Sequence, residues 1–178
     1  QIRRLSPSAA TDPKIPAAKR RTRWPVPLVA KLPGGALVRT LADKASQPLD
    51  VDGKPDWVFG NASAGGFYRV LHDPTTRAAL LAHLDELSAV ERLALAGDQW
   101  ALVRAGKVDV GSYLDIVDAL GDETDYDVLD GIVGPLGFID EQLAGDGTPC
   151  QVVFRRWLGG RFRPSFERLG WRAEASED

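Results

Sequence analysis

Between Asn61 and Asp73 the chain reads N-A-S-A-G-G-F-Y-R-V-L-H-D, and its character changes there. Before this stretch the sequence is Pro-rich with short apolar runs, the pattern of strands and turns. After it, nearly every segment carries helical spacing. Gly65 and Gly66 let the backbone turn where a side chain would clash. Phe67-Tyr68-Arg69-Val70-Leu71 then sets aromatic and branched residues in a row, which predicts the last strand of a sheet domain. Asp73-Pro74-Thr75 opens a helix, with Asp73 as N-cap and proline at the first helical position. Asn61 is the only asparagine in the chain.

Charge changes sign at the same place. Residues 1–72 hold 12 Lys and Arg against 5 Asp and Glu, a net +7, and residues 73–178 hold 10 against 20, a net −10. The coincidence with the change of pattern predicts a domain boundary at residue 72. Opposite charge on the two halves also supplies attraction between them, or steers a charged ligand. The expected domains are a β-sandwich spacer over residues 1–72, its N-terminal strands missing, and a truncated α-helical domain over residues 73–178.

Composition narrows the function classes. With 178 residues, 44% hydrophobic and 26% charged, the chain is an ordinary globular protein of one domain or two small ones. No apolar run approaches the roughly 18 residues a membrane span needs, and no apolar core follows Gln1-Ile2-Arg3-Arg4-Leu5 to make a secretory signal. The chain starts with Gln and contains no Met, so it reads as a piece of something longer. Cys150 is the single cysteine, which rules out an intrachain disulfide and a four-cysteine zinc site. It fits a reducing compartment, and the expected location is cytoplasmic.

In the first half, residues 1–5 read as the end of a strand, and Ser6 to Lys19, with three prolines, as a loop. Lys19-Arg20-Arg21-Thr22-Arg23 is a basic run. It has no aromatic interleaving or second basic cluster, and it reads as a solvated strand entrance rather than a nucleic-acid patch. Further strands are expected over Trp24–Lys31, at a sheet edge because of its prolines, and over Ala36–Leu41, Gln47–Val51, Asp56–Gly60 and Phe67–Leu71. Short strands at this spacing argue for a short antiparallel β-sandwich.

In the second half, Leu80, Leu81, Leu84 and Leu87 make one apolar helix face. Ser88-Ala89-Val90-Glu91 is a capping box opening a helix that runs to Ala105, ended by Gly106. Val90, Leu93, Gly97 and Trp100 form one stripe of it, and Leu95 and Leu102 lie on the opposite, otherwise polar side. A helix apolar on two faces must pack on both, as in a stacked helical array of HEAT or armadillo type. Helices follow from Gly111 to Leu120 and from Thr124, where Pro135 is expected to break or kink the run. A last helix starts near Pro149, interrupted by Gly159-Gly160 and restarted at Pro164 through Leu169. Gly170-Trp171 resembles a C-terminal cap. The expected fold class is thus α+β by segment.

Catalytic signatures are missing. There is no H-E-x-x-H, P-loop, G-x-G-x-x-G or G-x-S-x-G. His72 and His83 stand apart without neighbouring ligands and read as solvated or helix-face histidines. Cys150 reads as a packed or incidental cysteine. Asp122 to Asp127 lacks the Gly and distal Glu of a calcium loop and reads as helix capping and a solvated face. Asn61-Ala62-Ser63 fits a glycosylation sequon, with a turn-forming Asn the better reading.

The order of motifs resembles one family. W-V-F-G-N followed by G-G-F-Y-R-V-L-H-D is similar to the junction segment of the zinc aminopeptidases (gluzincins) that include aminopeptidase N, the puromycin-sensitive aminopeptidase and the endoplasmic-reticulum aminopeptidases. Leu87–Gly106 resembles that family's first helical repeat, Glu123–Leu129 its Glu-x-Asp-Tyr segment, and Arg161–Trp171 its Pro-x-aromatic-x-x-Leu-Gly-Trp segment. Trp24–Leu28 resembles a sandwich strand, and Gln1 with Arg3 the strand before it. The resemblance implies a non-catalytic C-terminal segment of an enzyme that removes N-terminal residues from peptides. Its zinc, general-base Glu and substrate-holding strip would lie in a missing upstream catalytic domain, so no catalytic or metal residue is carried over to this chain. Implied partners are that upstream domain and the peptide substrate, with no nucleic acid and no membrane. The segment would shape and gate the peptide cavity; its acidic helical part would attract positive parts of the peptide. Asn61, Gly65, Gly66, Tyr68 and Arg69 are expected to form a structural hinge, with Arg69 as a tie between sandwich and helices. Substrate-binding residues are unassigned. The alternative is a helical-repeat interaction module without peptidase activity.

Overall fold

A computed structural model describes residues 2–3 and 25–169. The expected loop at 6–19, the basic run at 19–23, Trp24 and the Gly170-Trp171 cap lie outside the described residues. Strand β1 (Ile2–Arg3) pairs antiparallel with β4 (Ser46–Gln47). Strand β2 (Val26–Lys31) pairs antiparallel with β3 (Leu37–Ala42), in register from Val26 opposite Ala42 to Lys31 opposite Leu37. The turn at Pro33–Gly35 joins them, with Gly34 and Gly35 at φ +72° and +82°, where a side chain is disfavoured. Pro25 precedes β2, and Pro27 is tolerated because, among the described residues, β3 alone pairs with that part of the strand. Along β3, Leu37, Arg39 and Leu41 face outward and Val38, Thr40 and Ala42 inward.

Three expected strands are corrected. Of the 47–51 strand only Gln47 is in a ladder, as the second residue of β4. Asp56–Gly60 contributes a single bridge, Phe59 to Lys31, with reciprocal backbone bonds of 2.8 and 2.9 Å. Phe67–Leu71 joins no ladder and runs as a strap over the helices. Its branched and aromatic composition suits a pleated surface, but propensity yields where side-chain ties place the backbone elsewhere.

Five helices follow. Helix α1 (Pro74–Leu81) is capped by Asp73, whose carboxylate accepts from the Thr75 and Thr76 N–H groups. It stops at Leu81, short of the expected Leu87, and a 3₁₀ turn at Leu84–Glu86 leads to α2 (Ala89–Arg104). The capping box at Ser88 and Glu91 forms as expected, and Gly106 closes the end at φ +62°. Helix α3 (Gly111–Ala119) is followed by α4 (Tyr126–Phe138), N-capped by Asp125. Pro135 does not break α4. The helix continues to Phe138 and widens into a π-turn over Ile139–Leu143, a local adjustment that absorbs a disturbed hydrogen-bond ladder. Helix α5 runs unbroken from Pro149 to Leu169. Gly159-Gly160 costs helix propensity, about 1 kcal/mol per glycine, but flanking contacts hold the rod. Arg155 grips Asp140, Arg161 reaches the Asp118 carbonyl, and the Ser165 hydroxyl donates to Gly121 O at 3.0 Å.

Helix α2 is the centre of the packing. It lies against α3 and α4 and against the short turn at Ala62–Ala64. Its most buried side is the one that reads as mostly polar, holding Glu91, Leu95, Asp98, Gln99 and Leu102, while Val90 is 46% exposed. Leu93, on the other side, packs onto α4 where Gly131 leaves room; a Cβ there would sit 2.3 Å from the leucine. Two-sided packing is therefore real, with the emphasis reversed: polar residues are buried because each has a partner. One core joins Trp57 and Phe59 to Leu80, Tyr113, Ile116, Val117, Val128 and Ile132 from the helices. The architecture is mixed α+β, a small antiparallel β portion followed by helices.

Candidate functional site

The chemistry that stands out is a junction where α2 grips the β portion and the strap. Glu91 and Asp98 are seven residues apart, two turns, so both carboxylates project from one side of α2. Glu91 is 2% exposed and its carboxylate takes three donors. Lys31 Nζ of β2 donates to Oε2 at 2.7 Å, the Ser63 N–H to Oε1 at 2.9 Å, and the Ser88 N–H to Oε2 at 2.9 Å. The Ser88 hydroxyl completes the cap in the other direction, accepting from the Glu91 N–H. Burial raises the Glu91 pKa, and the bonds from Lys31, Ser63 and Ser88 with the Lys31 charge more than offset it, leaving the group below its ordinary value. Lys31 Nζ also donates to Glu86 O at 2.7 Å, and the Gly34 N–H to the Glu86 carboxylate at 2.8 Å.

Asp98 holds the strap. Its Oδ1 accepts from Arg69 at 2.8 Å and its Oδ2 from the Val70 N–H at 2.9 Å. Here burial wins over both bonds and over the arginine charge, and the carboxyl pKa is raised. The reason lies in exposure: the Arg69 side chain is 61% exposed, so solvent screens its half of the pair.

Within the strap, the Asn61 side-chain oxygen accepts from the Gly66 N–H at 2.8 Å and its amide donates to Gly66 O at 3.1 Å. Asn61 is buried, and it acts as a clamp across the bend. A Cβ on Gly66 would lie 2.0 Å from the Tyr68 ring, so glycine is what lets the ring fold back. The Tyr68 hydroxyl donates to Gly60 O at 3.0 Å. Gly65 sits at the end of the turn, its N–H bonded to Ala62 O. The structure thus brings Asn61, Gly65, Gly66, Tyr68 and Arg69 into one bonded loop. Lys31, Glu91 and Asp98, which complete it, were not singled out by sequence, where Glu91 reads only as a cap. The available signal was a pair of carboxylates spaced by seven on one helix.

His72 differs from its expected solvated surroundings. His72 is buried, stacks on Phe59 at 5.9 Å and accepts the Gly60 N–H at 3.4 Å. Burial pushes its pKa down to about 4, against the pull of the Asp73 charge. His83 stays half exposed beside Glu86. Among the described residues no three His, Cys, Asp or Glu side chains converge to hold a metal ion. The acidic stretch at 122–127 is used in capping: Glu123 accepts from Arg92 at 2.6 and 3.0 Å and from the Thr124 and Asp125 N–H groups. Cys150 is exposed on the wall of an apolar groove of about 810 Å³, with Leu81, Leu114, Val153, Phe154 and Trp157. No helix of the described residues is long and apolar enough to cross a membrane.

A helix whose two buried carboxylates bond a small β portion and a strap forms an architectural junction. Residues 57–178 match the model of the ERAP1-like C-terminal domain. The chain belongs to that family. It is 31% identical to Aminopeptidase M1-A of Oryza sativa over 68% of its length and 14% of the relative's. It is 26% identical to Tricorn protease-interacting factor F2 of Thermoplasma volcanium over 88% of its length and 18% of the relative's. Against human Endoplasmic reticulum aminopeptidase 2 the figures are 25%, 93% and 18%. The chain therefore spans less than a fifth of each of these proteins, and the resemblance to the C-terminal region of the aminopeptidase family holds.

Proposed function

We propose that this chain is the non-catalytic C-terminal segment of a zinc-dependent aminopeptidase that removes N-terminal residues from peptides, and that it shapes and gates the peptide cavity. The observation that carries the reading is the family match over residues 57–178, which runs through the strap and every helix. Two relatives named as aminopeptidases support the activity. The described residues do not fit zinc: His72 already accepts a backbone N–H, His83 faces Glu86, and Cys150, whose groove is also lined by Asp115 and Asp118, does not converge with them into a set that could hold a metal ion. Zinc belongs, on this reading, to an upstream catalytic domain of the same protein, and no step is routed through residues here.

The finer architecture is part of the proposal. Residues 1–72 are assigned to a sandwich-type spacer and residues 73–178 to the start of a helical-repeat domain, with the strap as the hinge between them. The sign change of charge and the ties from Lys31 to Glu91 and from Arg69 to Asp98 support this assignment. A hinge of this kind would set the angle at which the helices cover the cavity. The location assigned is the cytoplasm, on the single cysteine alone.

An aminoacyl reporter assay tests the reading on two polypeptides. The 178-residue chain alone is expected to show no turnover and no stoichiometric zinc, and the parent protein is expected to show both. The parent gene is expected to encode H-E-x-x-H with a Glu roughly 18 residues further on, the spacing of a zinc site of this kind. A parent without that motif and without turnover would leave the helical-repeat interaction module, which the exposed apolar groove favours.

A further inference from the structure

No large apolar side chain among the described residues is more exposed than Phe67, whose relative exposure is 110%. A bare phenylalanine on a loose loop would mean little, but this loop is built. The Asn61 amide holds both backbone groups of Gly66, the residue before it. The Tyr68 hydroxyl is fastened to Gly60 O, and the Val70 N–H to Asp98. Ser63 and Ala64 sit at φ +56° and +51°, left-handed geometry that a non-glycine residue keeps only when its surroundings impose it. The bend turns Tyr68 inward and leaves Phe67 outward. Arg69 and Leu71, at alternate positions, are exposed beside it. A rigidly presented aromatic ring loses little conformational entropy on burial, which is why aromatic residues anchor protein interfaces.

We propose that Phe67 is a docking anchor that inserts into an apolar pocket on the part of the parent protein preceding this chain. The inference rests on the aminopeptidase reading given above. The occupant follows from placement and length. The strap is bonded to α2, which also grips β2, so it lies at the end where the polypeptide enters the helices. Helix α5, at the other end of the chain, packs on the π-turn and on the link between α3 and α4. More than four-fifths of each relative's length lies outside the matched region.

The test is Phe67→Ala in both the 178-residue chain and the parent protein. In the chain alone the variant is expected to melt within about 1 °C of the native sequence, since a surface substitution that breaks no contact is nearly neutral. In the parent, amides of residues 61–71 are expected to exchange with solvent at least tenfold faster in the variant, with Phe67→Tyr restoring protection. Equal exchange in native and variant parent overturns the proposal. So does a clear loss of stability in the isolated chain, which would place the ring's contacts inside it. Protection that appears only on adding a synthetic decapeptide, or that grows with concentration of the isolated chain, overturns it in favour of substrate or a second copy. Zinc content and turnover of the same parent preparations separate the two readings: an inactive, zinc-free parent with a protected strap sinks the peptidase and leaves the anchor.

Discussion

Replacing Glu91 by Gln tests the idea that the junction is a structural clamp. The change is nearly isosteric, so packing is kept and the negative charge is removed. Three donors converge on this carboxylate, from Lys31, Ser63 and Ser88, at 2.7 to 2.9 Å. A glutamine has one acceptor oxygen and a donor amide, so the amide must face a donor it cannot satisfy. Lys31 keeps Glu86 O, which softens the loss. Breaking one partner of a buried pair costs roughly 3–5 kcal/mol, and the surviving contact puts the expectation near the lower end, about 3 kcal/mol. For a chain of this size that lowers the melting temperature by roughly 6–12 °C. Urea unfolding of the 178-residue chain measures it, and a cycle with Lys31→Met isolates the pair, with an expected coupling of at least about 1 kcal/mol. The pH dependence carries the same sign. Because the folded carboxyl has a lowered pKa, its stabilisation is present above the unfolded value and is lost as pH falls through the folded value. Glu91→Gln should flatten that acid limb. A variant within about 0.5 kcal/mol of the native chain would refute the clamp.

Three other perturbations have defined outcomes. Arg69→Ala leaves the buried Asp98 with only the Val70 N–H, and roughly 1–2 kcal/mol of stability should go, read by urea melts; a change in substrate affinity of the parent with stability untouched would refute the tie. His72 takes up its proton near 6.5 when unfolded and only near 4 when folded, so stability falls as pH drops through that window, by up to roughly 3 kcal/mol. His72→Gln should remove this slope, and an unchanged slope assigns it elsewhere. The Tyr113 hydroxyl is buried with no partner among the described residues, so Tyr113→Phe should be neutral or stabilising by up to about 1 kcal/mol; a calorimetric loss of that size would reveal a bond the hydroxyl makes.

Local signals were legible where a few neighbouring residues decide the outcome. Asp73 before Pro74, the Ser88–Glu91 capping box and Asp125 each bond to backbone within one turn; the first two helix starts fall where they are expected, and α4 begins at Tyr126, two residues past the expected Thr124, with Asp125 as its cap. The ends and interruptions were not legible. Pro135 and Gly159-Gly160 carry helix-breaking character, yet both helices continue: α4 runs past Pro135 and widens into the π-turn, and in α5 bonds from Arg155, Arg161 and Ser165 to distant residues outweigh roughly 2 kcal/mol of propensity for the two glycines. Phe67–Leu71 has strand composition, but a strand exists only where a ladder partner is present, and the side chains of Asn61 and Asp98 hold this backbone instead.

Residue order alone was enough to show that the chain changes character between Asn61 and Asp73, that helices open at Asp73 and Ser88 and near Thr124, and which family its motifs resemble. Those properties depend on residue order and near neighbours. Only the tertiary structure decided that Glu91 and Asp98 are the two fixing points of that stretch. Their partners Lys31 and Arg69 are 60 and 29 residues away in sequence, and a buried carboxylate is chosen by the donors that folding brings to it, which no local pattern records.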